Sequence, residues 1–363
     1  MDEELKNFIK VWTLAVTSLC YCFYISAKIP SGLLRFLSLV PIFYFFTILP
    51  LNLSSFHLCG VTSVLLSWLA NFKLLLLSFD QGPLSSSSPK LFHFISIACL
   101  PIRVKHQEFP KSSKTNLTNK NPSPQNLQQQ LGLSIGIARF VLLAVKVILL
   151  VLIFHSYNYR DRIHPYVLLA IYCCHVYLEA ELLLALIVIP ARILLGFELE
   201  RQFNEPYLAT SLQDFWGQRW NLVVSGILRL TVYKPIRYTI GKRWAPLYAV
   251  FASFMVSGLI HELLYYHVTR VPPTWEVTWF FVLHGMCTVV EMAVKKVVTD
   301  KWGWRLHPVI STPLTVAFVG LTGVWLFFPQ LIRNGVTDKA IREMSILVDF
   351  LARNVVASKF KYS

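Results

Sequence analysis

From Ala245 to Ile260 the chain runs sixteen residues without a charge, and His261 and Glu262 follow at once in "SGLIHE". A helix needs roughly 20 apolar residues to cross a bilayer, so this stretch reads as a membrane span with two ionisable groups near its far end. Each such group costs about 2.5–3.5 kcal/mol in hydrocarbon on insertion scales. A chain that retains them has a structural or chemical use for them.

Further apolar runs lie near 8–27, 33–55, 59–79, 132–155, 165–190, 276–296 and 308–331, with the first one extending over 245–268. Of 363 residues, 55% are hydrophobic and 15% charged, and mean hydropathy is +0.53. Soluble domains carry about 25% charge. The expected fold is an all-α, multi-pass transmembrane helical bundle of about eight spans. Residues 91–101 are too short to cross and read as re-entrant or interfacial. Residues 221–240 mix apolar side chains with Arg229, Lys234 and Arg237 and are placed near the interface. Residues 1–363 are expected to form a single integral-membrane domain, with a flexible polar loop at 102–131 too poor in apolar residues to bury a core.

The net charge of +15 does not point to nucleic acid. Lys and Arg cluster in the short gaps between apolar runs, the pattern of topology-setting charge and of contact with anionic membrane lipids. Residues that meet headgroups can equally meet a phosphate-bearing coenzyme. The positive-inside rule places 102–131, 192–243 and 295–305 in the cytosol and Arg160, Arg162 and Arg270 opposite; it leaves the first three or four segments unoriented. The seven cysteines show no zinc spacing and read as reduced, packed residues.

"HELLY" approaches a zinc helix but has Tyr265 where a second histidine is required, and His267 lies about 600° round the helix. No metal is expected. Ser257 shares the face of His261, four residues earlier. "SLQDFWGQRWN" (211–221) sets Gln213, Asp214, Gln218, Arg219 and Asn221 among Phe215, Trp216 and Trp220, which suits either an interfacial anchor or a polar recognition surface. His284 and Glu291 are two helical turns apart and share a face; they line an interior cavity or pair with neighbouring helices. With Glu179, Glu181, Asn71 and Lys73 in other spans, these polar groups imply a wet, protein-lined interior.

Four stretches in order, "WLANFKLLLLSFDQGPLS" (68–85), "NEPYLATSLQDFWGQRWN" (204–221), "SGLIHE" (257–262) and "FFVLHGMCTVVEM" (280–292), resemble the plant wax synthases of the jojoba type. Those belong to the membrane-bound O-acyltransferase superfamily. The resemblance implies transfer of an acyl group from acyl-CoA to a lipid alcohol in the endoplasmic reticulum membrane, with acyl-CoA a co-substrate and no cofactor. It places the catalytic histidine on His261 and the conserved asparagine on Asn221. Before Asn221 this chain has Gln218-Arg219-Trp220, where larger relatives have Asp-Trp-Trp.

In that chemistry a neutral His261 accepts the alcohol proton. Asn221 donates to the thioester carbonyl or orients the histidine. Glu262, about 100° round the helix, reads as a tuning or structural group, and Ser257, Gln218, Trp220, His284 and Glu291 as supporting ones. Arg219, Lys234, Arg237, Lys242 and Arg243 are candidates for the coenzyme phosphates. A sterol, or diacylglycerol with a short acyl donor, is the alternative acceptor. A lipid transporter would require inverted repeats, and none is visible.

Overall fold

The computed structural model describes residues 2–85, 90–101, 124–195, 201–241, 244–302 and 306–346, and among them there are helices and no strands. In chain order these are α1 (Asp2–Lys28), α2 (Leu33–Ile48), α3 (Phe56–Thr62), α4 (Asn71–Ser78), α5 (Leu91–Cys99), α6 (Pro124–Ser156) and α7 (Pro165–Leu195). Then come α8 (Leu212–Asp214), α9 (Leu222–Leu228), α10 (Lys234–Ile240), α11 (Ala245–Thr269), α12 (Glu276–Trp302), α13 (Pro308–Thr322) and α14 (Pro329–Arg333). Residues 336–346 are helical again.

Among the described residues eight helices are long and apolar enough to cross a membrane: Glu3–Lys28, Leu33–Asn52, Phe56–Ser78, Phe140–Arg162, Pro165–Ala191, Ala245–Thr269, Glu276–Val297 and Pro308–Phe327. Each falls on an apolar run read from the sequence. The third is one continuous helix, α3 and α4 joined through π-helical turns at Ser63–Ala70. Similar π segments occupy Phe215–Arg219, Arg229–Tyr233 and Gly323–Phe327. Such i→i+5 turns insert an extra residue and re-aim the side chains around it. The polar stretch expected to be a loop as far as 131 is helical from Pro124, because proline suits a first helical turn and "QNLQQQL" continues it; residues 102–123 lie outside the described residues.

Contacts divide the chain into two compact units, residues 104–199 and the remainder. In the first, α6 and α7 pair, and Lys146 meets Glu181 at 2.5 Å across them. In the second, α11 and α12 make the most extensive helix pairing. Small residues set its closeness, as in membrane packing generally. A Cβ on Gly258 would stand 3.2 Å from the Thr278 Cα, and one on Gly285 2.9 Å from the Phe254 Cβ.

Side-chain ties orient the first spans, which the charge rule leaves open. Ser63 Oγ lies 3.0 Å from His267 Nδ1, and Arg270 donates to the carbonyls of Leu51 and Leu53 at 3.0 and 2.8 Å. The amino end of the third span therefore shares a membrane face with the carboxyl end of α11. Glu4 accepts from the Ser54 and Ser55 amides at 2.8 and 2.7 Å, which puts the start of α1 on that face too. Gly32 N donates to Ser78 O at 2.7 Å on the opposite one.

The first turn of α3 exposes amide N–H groups with no intrahelical acceptor. Glu343 takes them: Phe56 N at 2.7 Å, His57 N at 3.1 Å, plus Ser55 Oγ and His57 Nδ1, each at 2.8 Å. Burial alone raises the Glu343 carboxyl, but the hydrogen bonds from His57, Phe56 and Ser55 outweigh it and hold the group down to about 2.

The short helix α5 has nine residues, about 13 Å at 1.5 Å per residue, and cannot cross the bilayer. It packs on α1 and on the π segment of the third span. Lys73, 1% exposed, donates to Ile97 O and Leu100 O, both at 2.6 Å, so a buried amine satisfies the last carbonyls of α5. Asn71 ties its own helix to α2 through Phe43 O at 3.1 Å. Asn71, Lys73 and Glu181, which the sequence assigns to a wet interior, each meet a specific partner, while Asn71 Oδ1 and Glu181 Oε2 are buried with none among the described residues. All seven cysteines are unpaired.

Candidate active site

His261 lies in the C-terminal half of α11, and its ring is walled by aromatics from three other segments. The Phe281 ring of α12 is 4.3 Å away centroid to centroid, Trp68 of the third span 5.2 Å and Phe327 of the Gly323–Phe327 segment 5.9 Å. Gly258, one turn before His261, lets α12 come close enough to bring Phe281 onto the ring.

His261 Nδ1 lies 2.7 Å from the backbone carbonyl of Ser257. A carbonyl only accepts, so Nδ1 carries the proton of the neutral ring and Nε2 keeps its lone pair. Ser257, which shares the face of His261, meets it through its backbone carbonyl, where helical i, i+4 geometry puts it. Glu262 points elsewhere, as its 100° offset requires. Its Oε1 accepts from Thr278 N at 3.2 Å and Thr278 Oγ1 at 3.1 Å, which satisfies the first turn of α12. The adjacent histidine and glutamate thus do different work.

The 204–221 segment is held by its own polar groups. Arg219 Nε donates to Asp214 Oδ2 at 2.7 Å, and Nη1 reaches Asn204 O and Glu205 O at 3.3 and 3.2 Å. Arg219, a predicted phosphate ligand, is committed inside the motif. Trp220 stacks on Phe215 at 5.5 Å and meets Phe203 edge-on. Gln218 is exposed, and its carbonyl, at 3.4 Å, is the acceptor for the Asn204 amide.

Helix α12 grips this segment at two points. Trp216 Nε1 donates to His284 Nδ1 at 3.1 Å, and His284 Nε2 lies 2.8 Å from Thr322 Oγ1. Glu291 Oε2 accepts from Leu212 N at 2.8 Å and its Oε1 pairs with Lys295 at 2.7 Å. Of the two roles open to His284 and Glu291, pairing with neighbouring elements is the one observed. Phe281 links the grip to the histidine: its ring is 6.0 Å from Trp216 on one side and 4.3 Å from His261 on the other.

Asn221 closes the segment in the left-handed region, φ 39°, which asparagine tolerates better than most residues. Its Oδ1 accepts from Val224 N at 3.2 Å and caps α9. That fixes the amide: the oxygen turns to the helix and the NH2 turns away. Among the described residues no hydrogen bond joins Asn221 to His261; the ring is oriented by Ser257 O instead. Val223 and Val224, just after Asn221, pack in one core cluster with Trp68, against which Val256, Ile260 and Leu264 of α11 also rest.

Lys234 and Arg237 are exposed on α10. Lys242 and Arg243 lie outside the described residues.

Residues 199–283, which contain both Asn221 and His261, match the model of the membrane bound O-acyl transferase family. The probable long-chain-alcohol O-fatty-acyltransferase 1 of Arabidopsis thaliana is 47% identical, over 96% of this chain and 98% of its own length. The long-chain-alcohol O-fatty-acyltransferase of Simmondsia chinensis is 45% identical, over 98% of each chain. The chain belongs to the membrane bound O-acyl transferase family. A third relative of this acyltransferase, 40% identical over 95% of the chain and 96% of its own length, is named acyl-CoA–sterol O-acyltransferase 1 of Arabidopsis thaliana.

Sequence reasoning singled out most of the polar residues described here but none of the aromatic walls around His261. Trp68 and Phe281 lie in the stretches that carry the family resemblance, yet nothing in their spacing reveals that they converge with Phe327 on one ring.

Proposed function

We propose that this membrane acyltransferase esterifies long-chain fatty alcohols with acyl-CoA, forming wax esters in the endoplasmic reticulum membrane, with His261 as general base. The observation that carries this is the tautomer of His261: Nδ1 is spent on Ser257 O, so Nε2 is an acceptor among aromatic rings inside a membrane span. The names of the relatives supply the acceptor class.

The alcohol O–H gives its proton to His261 Nε2 as the oxygen attacks the thioester carbon. The resulting oxyanion takes a hydrogen bond from the Asn221 amide, whose NH2 is left over once Oδ1 has capped α9. The C–S bond then breaks, coenzyme A leaves as thiolate, and the imidazolium returns the proton to sulfur. General-base help of this kind is worth roughly 10²–10⁴-fold and an aimed oxyanion donor about 10²–10³-fold. No acyl-enzyme forms, and acyl-CoA serves as a co-substrate with no cofactor. Lys234 and Arg237, with Lys242 and Arg243, take the coenzyme phosphates from the cytosolic side; Arg219 is engaged within the motif. Alcohol and acyl chain enter laterally from the bilayer, which accounts for a base lodged in a span.

The relative named for sterol acylation makes a sterol the second reading. The test is expression in yeast lacking its own neutral-lipid acyltransferases, fed fatty alcohol, with wax esters, steryl esters and triacylglycerols measured by mass spectrometry. Wax esters are expected from the wild type and none from His261→Ala at equal protein level. Steryl esters or triacylglycerols alone would reassign the acceptor, and full turnover by His261→Ala would remove the base.

A further inference from the structure

The third span places one hydrogen-bond donor, the Trp68 indole N–H, where none of the described residues receives it. Trp68 is 4% exposed, and its Nε1 has no partner among the described residues. Buried donors are nearly always paired, and each exception calls for a reason. Other donors along this helix do have partners, and the one further orphan among the described residues of the span is an acceptor, Asn71 Oδ1. Thr62 receives Trp12 Nε1 at 3.3 Å, Ser63 meets His267 at 3.0 Å and Ser67 donates to Phe46 O at 2.9 Å.

Three features point to a ligand as the missing partner. The Trp68 ring stands against His261 at 5.2 Å, edge to face at 76°. It sits in the π-helical Ser63–Ala70 segment, a geometry frequent at functional sites. It also belongs to the core cluster that includes Val223 and Val224, the residues that follow Asn221. An indole N–H only donates, so its partner must be an acceptor. The attacking alcohol oxygen needs its lone pair for the carbonyl carbon, whereas the thioester oxygen gains negative charge.

We infer that the Trp68 indole N–H donates to the acyl thioester carbonyl at His261, acting beside Asn221 as a second donor to the oxyanion. This rests on the general-base reading of His261. The experiment uses purified full-length enzyme with acyl-CoA and fatty alcohol, comparing wild type, Trp68→Phe and the chain with benzothienylalanine at 68. The last keeps the two-ring outline and replaces N–H by sulfur, so it guards against a packing defect in the phenylalanine variant.

Both variants should lose about 100-fold in kcat, in keeping with removal of a donor to a developing oxyanion. Inhibition by an S-alkyl-CoA thioether, which has the acyl chain but no carbonyl oxygen, should stay within about twofold of wild type on this carbonyl-specific account. Unchanged kcat in the benzothienylalanine protein overturns the inference, as does thioether binding that weakens in step with kcat, the mark of a packing role. If His261→Ala is inactive in the same assay, only the assignment of Trp68 fails; if His261→Ala turns over normally, the general-base reading fails first.

Discussion

The indole N–H of Trp216 reaches His284 Nδ1 at 3.1 Å, which leaves the other nitrogen of that imidazole for Thr322. Both nitrogens of a 0% exposed histidine are thereby used: Nδ1 accepts from Trp216, and the Nε2 proton of the neutral ring is engaged with Thr322. It positions the motif that ends in Asn221. Of the two histidines in the paired helices that meet Phe281 and Trp216, His261 alone has an unspent nitrogen.

Replacing His284 with phenylalanine keeps the ring and removes both bonds, stranding the Trp216 N–H and costing about 1–3 kcal/mol for the orphaned group. Thermal unfolding in detergent should shift down by several degrees. Turnover should fall while the pH dependence of the residual activity stays that of wild type, since His261 is untouched. A changed pH profile would place His284 in the chemistry instead.

Asn221→Asp separates cap from donor. Aspartate keeps the oxygen that receives Val224 N and tolerates the positive φ, but it has no N–H to offer. The variant should unfold near the wild-type temperature and lose at least about 100-fold in kcat. Asn221→Ala should lose the activity and also about 1 kcal/mol of helix capping. Equal activity in the aspartate variant and wild type would remove Asn221 from the oxyanion.

A larger residue at Gly258 meets backbone, with the Thr278 Cα 3.2 Å from even a Cβ. Gly258→Val should push α12 from α11, lower the detergent melting temperature and carry Phe281 off the His261 ring. The loss in kcat should exceed that of Ser253→Val, whose hydroxyl only returns to Ala249 O at 2.8 Å. Similar losses in the two would argue against close approach as the cause.

Glu343 supplies a pH signature remote from the chemistry. Its carboxyl is held down to about 2 in the folded protein, against about 4.3 in an unfolded chain. A depressed acid stabilises the fold fully above the unfolded value and loses that contribution as pH falls through the folded one. Glu343→Gln should therefore melt below wild type at pH 7, with the gap constant to about pH 5 and closing steadily from about pH 4.3 toward 2. A gap independent of pH over that range would mean that charge on Glu343 contributes nothing.

Much of this protein is written in linear pattern. Hydrophobic runs declare eight crossings because the bilayer penalises any other disposition of so many apolar residues. The isolation of His261 in such a run marks it because burial of an ionisable group is costly. Even the division of labour between His261 and Glu262 follows from the 100° step of the helix.

What tertiary structure alone decides is who meets whom. Arg219 reads as a free cation until Asp214 and two carbonyls are found around it. His284 reads as a possible cavity lining until Trp216 and Thr322 occupy its nitrogens. Trp68, Phe281 and Phe327 come from sites 46 to 259 residues apart in the sequence, and no local rule predicts their convergence on His261. Periodicity within a helix encodes which face a side chain takes; the neighbour across that face depends on how separate helices pack, and that depends on the shapes of all of them at once.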